Sequence, residues 1–142
     1  MATDYFILVY VAALGALQLA AAYSGLGGLM FLPGRRLSLV LGTALAVGAF
    51  AWFFASGERN IPDTEGGLDG NGQAGVFAAA AGAALVSGLV LSSLTNALRL
   101  PGKPLEIGLD GLNGATYLQA LSGLVAEVSR SWRRQIQQYF SG

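Results

Sequence analysis

The apolar residues of this chain come in three long blocks, followed by a region where apolar and polar positions alternate at helical spacing. The first block, Tyr5–Leu32, carries no charge. As one helix it would be about 42 Å long at ~1.5 Å per residue, against a hydrocarbon core of roughly 30 Å. It is therefore expected either to tilt or to loosen at Ser24–Gly28, where glycines weaken helix continuity. Pro33–Arg36 then ends it. The second block is Leu37–Ala55 and the third is Ala74–Ala97, uncharged until Arg99. The pattern predicts a transmembrane region over 1–98, with spans at about 5–32, 37–55 and 74–97 and a polar loop at 56–73.

Residues 99–114 hold Pro101, Pro104 and several glycines, and read as a connector that follows the membrane surface. From 115 to 142 the pattern predicts an amphipathic helix. Leu118, Leu121, Val125, Val128, Trp132, Ile136 and Tyr139 recur at spacings of three and four, with Gln119, Ser122, Arg130, Arg133, Arg134, Gln137 and Gln138 mostly off that stripe. As a fourth span it would drag three arginines across the bilayer and bury Gln119 or Glu127. An interfacial helix suits the residues better: Trp132 and Tyr139 fit the headgroup region, and Arg130, Arg133 and Arg134 fit anionic lipid. A partner protein is the other surface that could take this stripe. The expected fold class is thus an all-α integral membrane protein, with three transmembrane helices and a C-terminal amphipathic interfacial helix.

Charge sets the orientation. With three spans, residues 33–36 share a side with everything after 98, and that side holds every basic residue except Arg59. The positive-inside rule puts this side in the cytoplasm and the N-terminus and the 56–73 loop outside, in what reads as a prokaryotic plasma membrane. Asp4 and the lack of a basic n-region make the first span an uncleaved one. Composition agrees: 54% of residues are hydrophobic and 11% charged, whereas a soluble domain carries about 25% charged residues. The net charge is zero, so nucleic acid is not suggested. There is no cysteine and no histidine, which removes thiolate clusters, disulfides and the commonest metal ligand and general base. No cofactor is implied and no catalytic residue is assigned. Glu106, Asp110 and Glu127 are weak support for a membrane-surface enzyme.

Within the spans, small residues form ladders. Ala12, Ala16, Ala20, Ser24 and Gly28 recur at four-residue spacing in the first block, with Ala13, Ala21 and Gly25 on a neighbouring ridge. Gly75, Ala79, Ala83 and Ser87 do the same in the third, with Ala80, Ala84, Gly88 and Ser92 alongside. Such ladders let helix backbones approach closely in lipid, either within the chain or against other membrane subunits. Gln18 is the one strongly polar group deep in a span and is expected to hydrogen-bond across a helix interface. Phe50, Trp52, Phe53 and Phe54 read as an aromatic belt at the outer interface, with a pigment or quinone contact as the sharper alternative.

The 57–75 stretch concentrates Asp63, Glu65, Asp69 and Asn71 among glycines. An EF-hand is excluded, because Ala74 and Ala80 stand where its glycine and bidentate glutamate belong. A looser cation or docking loop on those four residues is one expectation; a solvated connector, with Asp69 or Asn71 capping the third span, is the other. The functional expectation is a non-catalytic accessory or scaffold subunit of a larger membrane complex. The alternatives are a small homo-oligomeric channel or carrier, lined by Gln18, Thr43 and the serines of the third span, and a lipid- or pigment-contacting membrane protein.

Overall fold

The computed structural model describes residues 2–56, 70–97 and 115–140, except for the side chains of Glu127 and 131–140. Four α-helices account for nearly all of these residues: α1 (Ala2–Tyr23), α2 (Arg35–Ala55), α3 (Gly70–Asn96) and α4 (Tyr117–Phe140). The first three are long and apolar enough to cross a membrane. The protein is therefore an all-α membrane protein with three candidate spans and a C-terminal helix.

The first apolar block does not stay helical to Leu32. It loosens where the glycines stand, and α1 stops at Tyr23. Gly25 sits at φ 72°, a conformation that side chains with a Cβ resist. Around it the Leu26 N–H donates to the Ala21 carbonyl at 2.9 Å and the Gly25 N–H to the Ala22 carbonyl at 3.4 Å. That pair of bonds is the Schellman stop, and Leu26 packs against the buried Ala21 and Ala22 to complete it. A single 3₁₀ turn, Gly27–Leu29, follows, and Met30 turns inward beneath it. Gly34, at φ 96°, cannot be helical, so α2 starts at Arg35.

α1 is the central helix. It packs most extensively on α2 and next on α3, and these two share little contact with each other. The α1–α2 crossing is set by two glycines. A Cβ on Gly15 would lie 2.7 Å from both the Ala46 nitrogen and the Gly42 oxygen, and one on Gly42 would lie 2.9 Å from the Gly15 oxygen. The backbones touch, which is the close approach that glycine permits in a membrane helix pair. On the other side of α1, α3 buries Ala80, Ala84, Gly88 and Ser92. Outward from this small core, Val40, Val47, Phe54, Val86 and Leu94 are exposed, as suits lipid-facing positions.

Candidate functional site

Polar chemistry within the described residues gathers at one end of the bundle, where α1 and α3 finish and α2 and α4 begin. Gln18, 1% exposed, turns toward the reversal that follows α1. Its Nε2 donates to the Leu29 carbonyl at 3.1 Å, and its Oε1 accepts from the Phe31 N–H at 2.8 Å. Asn96, in the last turn of α3, donates from Nδ2 to the Met30 carbonyl at 2.6 Å and to the Ser92 carbonyl at 2.9 Å. Ser38, in the first turn of α2, donates to the Leu32 carbonyl at 3.1 Å. Three buried side chains from three helices thus satisfy the backbone of residues 29–32, which a helix would have satisfied internally.

The same junction receives α4. Ala115 and Thr116 are buried against the bundle. The Leu118 N–H donates to Ser93 Oγ at 3.2 Å, so the first turn of α4 is fastened to the last turn of α3. Thr116 and Gln119 close a reciprocal capping box. The Gln119 N–H donates to Thr116 Oγ1 at 3.3 Å, and the Thr116 N–H donates to Gln119 Oε1 at 3.0 Å. Higher in the bundle, Ser87 Oγ donates to the Ala83 carbonyl at 2.7 Å. Its single proton is spent there, so in the 2.9 Å contact with Tyr10 the phenol is the donor. No buried side-chain nitrogen or oxygen among the described residues lacks a partner.

These positions redistribute the residues singled out from sequence. Gln18 is bonded, but to the backbone of the 29–32 turn and not to a side chain across a helix pair. Ser87, Ser92 and Ser93 all hold hydrogen bonds within the bundle, and Thr43 lies on the exposed face of α2. The first ladder is not one ridge: Ala12 is half-buried, Ala16 and Ala20 are exposed on α1, and Ser24 and Gly28 lie past its end. In α3, Gly75 and Ala79 are exposed and Ala83 and Ser87 half-buried. The neighbouring ridge of Ala80, Ala84, Gly88 and Ser92 is the one that packs within the chain. Phe50, Trp52 and Phe54 project outward at the end of α2, with Phe50 and Phe54 stacked at 6.4 Å between ring centroids.

Of the acidic loop, Asp63, Glu65 and Asp69 lie outside the described residues. Asn71 falls inside the first turn of α3 and is exposed, so it does not precede the helix as a cap would. Among the described residues no group of three acidic, histidine or cysteine side chains could hold a metal ion. Arg130 is exposed and its Nε donates to the Ala126 carbonyl at 3.2 Å. The side chains of Trp132, Arg133, Arg134 and Tyr139 lie outside the described ones. Sequence reasoning passed over Gly15, Gly42, Ser38, Asn96 and Thr116. A signal existed for some of them: Ser38, Gly42 and Ala46 are spaced by four, and Thr116 precedes Gln119 by three. Comparison of the chain with protein-family models, with curated proteins and with solved structures finds no match.

Proposed function

We propose that this chain is a non-catalytic accessory subunit that packs into a larger membrane protein assembly. The observation that carries this is a second small-residue face on α3. Its inner ridge is spent on α1, yet Gly75, Ala79 and Gly82 remain exposed within a span, and a Cβ at Gly75 or Gly82 would meet nothing within 4 Å. In lipid, where tails are as apolar as leucine, a face without side chains gains nothing until another helix backbone closes on it. Ala16 and Ala20 on α1 add a second such surface.

The remaining features support a scaffolding role. No Asp, Glu, Lys, Arg or His lies between Tyr5 and Leu32 or between Leu37 and Ala55, so these spans lack the groups on which proton relays and ion-coupled carriers depend. Of the polar groups that a channel would expose, Gln18, Ser87, Ser92 and Ser93 are hydrogen-bonded to the protein's own backbone. Orientation is assigned from the positive-inside rule. The N-terminus and the segment between α2 and α3 face outward and the 29–36 turn and α4 face the cytoplasm, where anionic lipid is available to the arginines of α4.

Purification of the tagged chain from its native membrane at endogenous level tests the proposal. Extraction in a mild detergent is expected to bring stoichiometric membrane partners with it, detected by mass spectrometry. A stable lone monomer under those conditions contradicts it.

A further inference from the structure

Among the described side chains, the apolar stripe of α4 is not packed on the bundle. Leu118, Leu121, Leu124 and Val125 are 42%, 42%, 45% and 61% exposed, in a helix whose start is buried and fastened. In a freely attached helix, such a stripe could turn toward anything. Here the tether narrows the choice. Leu118 is held to Ser93, three residues before the end of α3, so the stripe begins beside the last turn of a candidate span. Leu94, next to the tether in sequence, is 63% exposed. The polar complement also carries a sign: α4 holds Arg130, Arg133 and Arg134 against the single acid Glu127.

We propose that α4 is an in-plane membrane-surface helix that docks on anionic lipid. Leu121, Leu124 and Val125 enter the boundary between headgroups and acyl chains, and the arginines meet the phosphates. Three properties match what such a helix requires: a narrow apolar face, low net hydrophobicity, and cations on the polar side. Two observations favour lipid over a protein partner as the occupant. The fastening at Ser93 sets the depth of the helix, which a bilayer needs and a protein surface does not. The net positive charge suits a leaflet of uniform negative sign. The proposal is independent of the accessory-subunit reading, because it concerns the purified chain and lipid alone.

The chain has no cysteine, so single labels report cleanly. Full-length protein carrying Val125→Cys or, on the polar side, Ala126→Cys is labelled with an environment-sensitive fluorophore. It is then reconstituted in nanodiscs of phosphatidylcholine alone or with phosphatidylglycerol added. With phosphatidylglycerol, the label at 125 should be quenched by lipids bearing a spin label in the acyl chain and shielded from iodide, while the label at 126 should stay open to iodide. Shielding at 125 should weaken in high salt. At about 1 kcal/mol per arginine near an anionic surface, Arg130→Gln should lower the docked-to-undocked ratio roughly fivefold. Equal iodide access at 125 and 126 in both lipids overturns the proposal. So does shielding at 125 that appears only in native membranes, which assigns the stripe to a protein. Shielding that ignores phosphatidylglycerol and salt overturns the anionic-lipid assignment.

Discussion

Gly15 and Gly48 are both glycines in transmembrane helices, and substitution should move them in opposite directions. A methyl group on Gly15 would press on the backbone of α2 at 2.7 Å, where nothing can swing aside. Gly15→Ala is expected to cost roughly 1–3 kcal/mol from overpacking, which outweighs the gain in helix propensity of up to about 1 kcal/mol. At Gly48 the added methyl meets nothing within 4 Å, so Gly48→Ala should be neutral or stabilise by as much as ~1 kcal/mol. Unfolding of the purified variants in one detergent reads both. Gln18→Leu removes a donor and an acceptor from the Leu29 carbonyl and the Phe31 N–H, and should cost about 1–3 kcal/mol in the same assay. Tyr10→Phe should cost well under that, ~0.6 kcal/mol, because Ser87 keeps its bond to Ala83. At this scale the sequence announced that Gln18 needed partners but could not name them. Its partners are backbone groups of a turn that exists only because Gly25 adopts positive φ.

At the scale of elements, the spans were legible because bilayer thickness imposes a length on apolar runs. Their ends were less so. α1 stops nine residues before its apolar block does, since Schellman closure at Gly25 competes with hydrophobicity and wins. The choice between ladders was not legible at all. In an alanine-rich helix, adjacent ridges look alike at four-residue spacing, and only the partner helix selects Ala80–Ala84–Gly88 over Gly75–Ala79–Ala83. α4 was legible in its stripe, and its start is now explained by the Thr116–Gln119 box. Thr116→Ala should cost about 1 kcal/mol locally. Hydrogen exchange in the first turn of α4 should rise about fivefold while exchange in α1–α3 is unchanged.

For the whole molecule, α1 is a spine with one face given to α2, one to α3 and its end locked by Gln18. That leaves the outer small-residue face of α3 unspent, and on it rests the claim that the chain is built to join others. Orientation can be checked on a cysteine-free background: an impermeant thiol reagent added to intact cells should label Gly70→Cys and spare Ser122→Cys. The decisive measurement is the size of the solubilised complex, by native electrophoresis of native membranes, for wild type, Gly82→Leu and Gly15→Leu. Gly82 has open space around it, so Gly82→Leu should unfold at the wild-type temperature yet run as the free chain, whereas Gly15→Leu should lose the fold itself. If the Gly82→Leu chain keeps the wild-type complex, or if the wild type already runs alone, this face of α3 does not bind a partner and the accessory-subunit proposal fails.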